Sequence, residues 1–248
     1  LQRGRYDISS LSFFVNGGAA MGARVRDELL DALPERAVIA DGVGSSEGGK
    51  QLTAAFTRKH RAGRRPKYNQ VPSCRILSLD RQRVLEPDDD AEGWLASTGL
   101  LPLGYLDEPE KTDETFPTIG GVRYSIPGDK AVYRDGLVEL LGRDSVTINS
   151  GGEKIFAEEV ELAILKHPRV KDVVVAGRPS ERWGSEVVAV VSLNEPATPE
   201  ELLHTCEGQI ARYKFPKEIL FVEEVQRGPN GKADYAWARA VAERAGGQ

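Results

Sequence analysis

Apolar residues change their spacing twice along the chain. Leu11, Phe13, Phe14 and Val15 run together and stop at Asn16-Gly17-Gly18-Ala19. That predicts a buried strand closing on a tight glycine turn. In residues 22–33, Val25, Leu29, Leu30 and Leu33 fall at helical spacing, and Pro34 ends the helix. Val38-Ile39-Ala40 predicts a second strand, which runs into the glycine-rich Asp41-Gly42-Val43-Gly44-Ser45-Ser46-Glu47-Gly48-Gly49. Strand, glycine turn, helix, strand, glycine turn is the rhythm of an α/β unit. Ligands of such sheets bind beyond the carboxyl ends of the strands, where both turns would lie.

From about residue 67 the spacing becomes that of strands. Residues 75–79 and 83–85 flank Asp80-Arg81-Gln82 as a hairpin, and Gly93-Trp94-Leu95-Ala96 and Gly120-Gly121-Val122-Arg123-Tyr124 predict further strands. Tyr124 with Ile126 and Ala131 with Tyr133 alternate, and residues 137–141 continue the pattern. The expectation is an antiparallel β subdomain resembling a distorted barrel. After residue 142 the helical signal returns. The expected order there is hairpin, helix (157–166), strand (170–176), strand (187–193), helix, strand (219–222), loop (228–232) and helix (233–245). Thr198-Pro199-Glu200-Glu201 is a capping box, which places a helix start at 198 and predicts a helix to about Tyr213. The fold class is therefore α/β (1–66) plus a β subdomain (67–142), followed by a small α+β domain (143–248). Residues 142–161 read as the joint between the two.

Composition narrows the class. Of 248 residues, 40% are hydrophobic and 29% charged, the balance of a globular protein with a sizeable core. A net charge of −5 argues against general nucleic-acid affinity. Cys74 and Cys206 lie far apart in no paired motif, which fits a reducing, cytoplasmic setting. His60, His167 and His204 do not cluster with cysteines, so a structural zinc site is not expected. There is no run of 18 apolar residues. The chain begins with Leu close to a strand, so a piece of a longer protein is expected.

Candidate chemistry sits at the turns. Gly44-Ser45-Ser46-Glu47 could bring amides and hydroxyls to an anion, with Glu47 beside a divalent metal; a plain polar loop is the alternative. Asp41 could accept from an exocyclic amine or cap a turn. Asp129, in Ile126-Pro127-Gly128-Asp129, could accept two ribose hydroxyls or be an ordinary turn aspartate. Arg143 offers a fork for phosphate or paired hydroxyls, against a surface ion pair worth under ~1 kcal/mol. Asp144 could be a hinge. Gly151-Gly152 would let another molecule approach the backbone, or simply turn a hairpin. Lys232, after Asn230-Gly231, could reach from a loop tip to stabilise developing charge, or be a solvated lysine. The basic Arg58-Lys59-His60-Arg61-Ala62-Gly63-Arg64-Arg65 reads as a solvated loop or a contact for a phosphorylated ligand.

Taken in order, these stretches, with Arg212-Tyr213-Lys214-Phe215-Pro216, resemble the motifs of the adenylate-forming superfamily, which includes acyl-CoA synthetases, luciferases and peptide-synthetase adenylation domains. Ile148-Asn149-Ser150-Gly151-Gly152-Glu153-Lys154-Ile155-Phe156 looks most like bacterial fatty-acyl- or steroid-acid-CoA ligases. The resemblance implies that an acid attacks the α-phosphate of ATP, and that coenzyme A then displaces AMP from the acyl-adenylate. It implies that Gly17, Gly18, Ala19 and Asp41 line the adenine site, that Ser46 and Glu47 serve phosphate and Mg²⁺, and that Asp129 and Arg143 hold the ribose. Lys232 would be the adenylation lysine on a mobile C-terminal domain, Asp144 the hinge, and Gly151 and Gly152 the pantetheine face. The implied partners are a fatty or steroid acid and CoA, with room for a membrane-surface association through the lipid and for a homodimer. Val43 and Ala157 depart from the family's usual aromatic and proline. No Ser/Thr/Gly-rich loop ending in Lys-Gly occurs, so the chain resembles the C-terminal half of such an enzyme and is expected to be inactive alone. A peptide-synthetase adenylation domain and a non-catalytic nucleotide-binding module remain the alternatives.

Overall fold

The computed structural model describes residues 6–18, 21–59 and 66–246. The chain divides into two compact units, 1–141 and 142–248.

The first unit contains β1 (Phe13–Gly17), α1 (Ala23–Ala32), β2 (Val38–Ser45), β3 (Gly49–Phe56), β4 (Lys67–Gln70), β5 (Cys74–Ser78), β6 (Glu92–Ser97), α2 (Pro109–Thr115), β7 (Thr118–Ile119), β8 (Val122–Arg123), β9 (Asp129–Arg134) and β10 (Leu137–Arg143). Eight of the strands form one sheet in the order β1-β2-β3-β4-β10-β9-β6-β5. The β1–β2 pair is parallel, as expected for strands joined by a helix. The pairs β2–β3, β3–β4, β4–β10, β6–β9 and β5–β6 are antiparallel. Leu30, Ile39, Leu52, Ile76, Leu95 and Val138 belong to one buried cluster beneath this sheet.

Several expectations need correction. The β1 strand is not buried: Phe13 is 68% and Val15 77% exposed. It is an edge strand, so alternation puts only Phe14 against the core. The glycine stretch after Ala40 is not a turn from Asp41 onward. Strand β2 runs through it to Ser45, and only residues 46–48 turn. Here glycine serves close strand pairing: a Cβ on Gly44 would lie 2.5 Å from the Gly49 carbonyl, at a bulge between Val43 and Gly44. The antiparallel strands are not a separate barrel but continue the same sheet. Residues 83–85 form no strand; Val84 makes a single bridge to Leu77. Helix α2, with Pro109 at its start, was not anticipated.

The second unit contains β11 (Thr147–Ser150), β12 (Glu153–Phe156), α3 (Ala157–Ile164), β13 (Val170–Ser180), β14 (Gly184–Leu193), α4 (Pro199–Cys206), β15 (Glu218–Phe221) and α5 (Tyr235–Gly246). This is the expected order. The three-stranded sheet runs β13-β14-β15, antiparallel then parallel. Its valines explain the unbroken apolar runs. Val173, Val175, Val187 and Val191 pack with Val160, Ile164 and Leu202 of α3 and α4. Val174 and Val190 pack with Ala238 of α5. Both faces are covered, so no position is left for polar alternation.

The capping box is present: Thr198 Oγ1 accepts from the Glu201 amide at 3.3 Å, and Glu201 Oε2 accepts from the Thr198 amide at 2.8 Å. Helix α4 stops at Cys206, however, not near Tyr213. Glu207 is extended and Gly208 has φ +71°, after which only a short 3₁₀ turn, Arg212–Lys214, forms.

Candidate active-site residues

In the first unit the parallel register of β1 and β2 sets Asn16 opposite Asp41 and Gly17 opposite Gly42. Gly17 therefore ends β1 beside Asp41, and Gly18 (φ +82°) follows it. Ala19, the fourth residue expected there, lies outside the described residues. Asp41 is buried at 6% exposure, and both its oxygens are engaged. Oδ1 accepts from Asn16 Nδ2 at 2.7 Å, and Oδ2 from the Tyr68 hydroxyl at 2.9 Å. Asp41 sits within a strand and caps no turn. Burial, and then the Asp41 charge, push the Tyr68 hydroxyl well above its usual pKa, so it stays a donor.

Ser46 and Glu47 sit on the β2–β3 turn. The Gly48 amide donates to Ser45 Oγ at 3.0 Å. Gly48 lies close to the end of β6: a Cβ there would stand 2.7 Å from Ser97 Oγ and 3.5 Å from Ser125 Oγ. Glu47 Oε1 accepts from the Tyr105 hydroxyl at 2.8 Å. Among the described residues no three His, Cys, Asp or Glu side chains gather as a metal cage. Asp129 is buried at 5% exposure, directly after Gly128 at φ +101°, so it is not an ordinary exposed turn aspartate. Its neighbour Lys130 is also buried, with its ammonium 4.6 Å from the Trp94 ring centre.

The basic stretch turns out to have a structural member. Arg58 donates to the carbonyls of Leu30, Asp31 and Leu33 and so caps the end of α1. Residues 60–65 lie outside the described set.

In the second unit the joint is compact. Gly142 has φ +146°, and a Cβ there would fall 2.6 Å from Glu158 Oε2. The Arg143 amide donates to Glu158 Oε1 at 3.3 Å, and its carbonyl accepts from Thr147 Oγ1 at 3.0 Å. The Arg143 side chain is exposed, and Asp144 opens the short 3₁₀ turn Asp144–Val146.

Gly151 and Gly152, at φ +60° and +86°, form the two-residue turn of the β11–β12 hairpin, which requires positive φ at both positions. The hairpin reading is therefore correct. Gly151 also packs: its amide donates to the Trp183 carbonyl at 2.9 Å, and a Cβ would stand 3.0 Å from the indole. Gly152 faces open space.

Lys232 ends a closed loop and is exposed. The Gly228 amide donates to the Lys232 carbonyl (2.9 Å), the Gly231 amide to the Gly228 carbonyl (2.8 Å), and the Lys232 amide to Asn230 Oδ1 (3.1 Å). Gly231, at φ +75°, makes the turn possible.

The structure thus sets Asn16, Gly17 and Asp41 side by side in the first unit. The partners Tyr68, Tyr105 and Ser97 were missed because nothing local marks them; each comes from a distant strand or loop. In the second unit Trp183 was missed for the same reason.

Residues 159–232 match the AMP-binding enzyme C-terminal domain. The chain is similar to enzymes of the adenylate-forming family. It is 51% identical, over 98% of its length, to the medium-chain acyl-CoA ligase Mig of Mycobacterium avium, of which it covers 44%. It is 43% identical, over 94% of its length, to 3-oxocholest-4-en-26-oate–CoA ligase of Rhodococcus rhodochrous, of which it covers 42%. The chain therefore spans less than half the length of these relatives. Its fold is shared with the anthranilate CoA ligase AuaEII in complex with anthranoyl-AMP (TM-score 0.81, 21% identity, 98% of this chain and 47% of that one). It is also shared with the amide bond synthetase McbA of Marinactinospora thermotolerans (TM-score 0.81, 23% identity, 96% and 48%).

Proposed function

We propose that the chain is the C-terminal part of an ATP-dependent acid–CoA ligase, which forms an acyl-adenylate and then a CoA thioester. A medium-chain fatty or steroid acid is the substrate class, on the strength of the relatives. The observation that carries the reading is Lys232. It stands exposed on a hydrogen-bonded loop, at the end of the stretch that matches the AMP-binding C-terminal domain.

In this reading Asp41, held by Asn16 and Tyr68, presents its remaining lone pairs to the adenine amine, and Gly17 and Gly18 allow the base to lie against the backbone. Asp129 and Arg143 bind the ribose. Ser46 and Glu47 face the phosphates. Mg²⁺ is commonly held by one or two carboxylates plus substrate phosphates, so the lone Glu47, steadied by Tyr105, fits that donor set. When bound, the ion would neutralise phosphate charge. Lys232 offsets the charge that grows on the bridging oxygens as the acid attacks. Rotation about Asp144 then withdraws Lys232 and brings Gly151 and Gly152 to the pantetheine arm, so that one domain serves two half-reactions in turn. Two separate, buried thiols suit a reducing cytoplasm.

The test uses the full-length enzyme. Lys232→Ala should abolish adenylation, read as pyrophosphate release, and spare thioester formation from supplied acyl-adenylate. Equal loss of both steps would refute the assignment. AMP binding without any turnover in the unaltered enzyme would favour a non-catalytic module.

A further inference from the structure

The loop that carries Lys232 is braced from outside by a pair of residues to which the reading above gives no role. Arg227 immediately precedes the loop and bridges to Ala233 immediately after it, so the two stems are paired. The Arg227 guanidinium is bidentate to Asp172: Nε to Oδ2 at 2.7 Å and Nη2 to Oδ1 at 2.6 Å. Its third nitrogen, Nη1, donates to the Gly231 carbonyl at 3.2 Å, one residue before Lys232. One side chain thus ties the sheet to the loop.

Asp172 is aimed by the backbone. It lies at the irregularity in β13 where the register with β14 shifts between Val170 and Asp172. Its Oδ1 also accepts the Val173 amide at 2.8 Å, which fixes the carboxylate's rotamer. Both side chains are partly shielded, 35% exposed for Arg227 and 21% for Asp172, so the pair is neither a loose surface contact nor a deeply buried charge. A planar fork on a carboxylate fixes direction as well as distance, which a lysine or a single hydrogen bond would not do.

We propose that Arg227 and Asp172 are positioning residues for Lys232. They convert a glycine-containing loop, otherwise free to fray, into a fixed platform referred to β13, so the long lysine has one origin from which to reach the reacting phosphate. This rests on Lys232 being the adenylation lysine. Displacement of a catalytic group by about 1 Å can cost on the order of 10²-fold in rate, so the brace should be visible in kinetics.

The experiment has two arms. In the 248-residue chain, amide order parameters are measured for Gly231 and Lys232 with Arg227→Gln and with Asp172→Asn. In the full-length enzyme, both half-reactions are measured for the same variants beside Lys232→Ala. Order at Gly231 and Lys232 should fall, adenylation kcat should drop roughly 10- to 100-fold with little change in KM for ATP, and thioester formation from supplied acyl-adenylate should stay within about 2-fold. Arg227→Lys should rescue poorly, since it cannot be bidentate. Unchanged order, or equal loss of both half-reactions with a folded protein, overturns the proposal. If Arg227→Gln does not fold, Asp172→Asn, which keeps the Val173 contact, decides by the same readouts. If Lys232→Ala itself shows no selective loss of adenylation while the order still falls, the reading of Lys232 has failed and the brace has not.

Discussion

Glu161 and Tyr235 meet in the interior of the second unit: Glu161 Oε2 accepts the Tyr235 hydroxyl at 3.3 Å, while Oε1 accepts the Val175 amide at 2.9 Å. Helix α3 is thereby joined to the start of α5, three residues beyond Lys232. Burial pushes the Glu161 carboxyl up to about 8, against the pull of the Val175 amide. The raised value means that the folded state holds a proton which the unfolded state has released above about pH 4.5. Stability from this group is therefore present at low pH and lost as pH climbs through about 8. Urea unfolding between pH 5 and 9 should show a downward slope for the second unit, and Glu161→Gln should flatten it. An unchanged slope in the variant would assign the dependence elsewhere.

The two glycines of the β11–β12 turn should respond differently to the same substitution. Gly152→Ala introduces left-handed strain of about 1–2 kcal/mol without a clash. Gly151→Ala adds the contact with the Trp183 ring and should cost more. Thermal denaturation of the two variants checks the order. By the proposed function, both should slow thioester formation before they slow adenylation.

Tyr68→Phe should remove one of the two donors to the buried Asp41. Losing the bond and leaving Oδ2 unsatisfied should destabilise the first unit by about 1–3 kcal/mol. Asn16→Ala should act similarly through Oδ1. The comparison variant is Tyr124→Phe, whose hydroxyl has no tie to Asp41.

Tyr105→Phe should leave the fold intact and loosen Glu47. If Glu47 faces Mg²⁺ as proposed, a magnesium titration of adenylation in the full-length enzyme should show a higher requirement for this variant. Glu47→Gln should show a larger shift in the same direction.

The second unit was legible because its signals are local. A capping box at Thr198, a proline at 199, valine runs buried on both faces and a Gly-Gly turn each determine their own neighbourhood. The first unit was less so. Gly42 and Gly44 looked like turn residues, yet both lie within β2, and at Gly44 the missing side chain serves close strand pairing, which only the partner strand β3 reveals. Phe13 and Val15 looked like core because composition does not report which strand is last in a sheet. The candidate residues were found by type and order, but what holds them was not. Tyr68 for Asp41, Tyr105 for Glu47, Glu158 for the Arg143 amide and Asp172 for Arg227 are all contacts at long sequence separation, and no periodicity encodes them.

Two ties of the second unit end on the same β-hairpin. The Gly151 amide is held by Trp183, in the β13–β14 turn, and the Lys232 loop is held through Arg227 to Asp172, at the other end of β13. The glycine tip and the lysine are thus two fixtures on one ruler, and the spacing between them is a property of a single strand. Exchange of parts between related enzymes should respect that. A chimera with its crossover at Gly142 transplants ruler and fixtures together and should keep both in step, whereas a crossover between residues 183 and 226 would mate one enzyme's glycine tip to another's lysine loop. On the proposed function, such a hybrid should fold and yet lose the match between its two half-reactions.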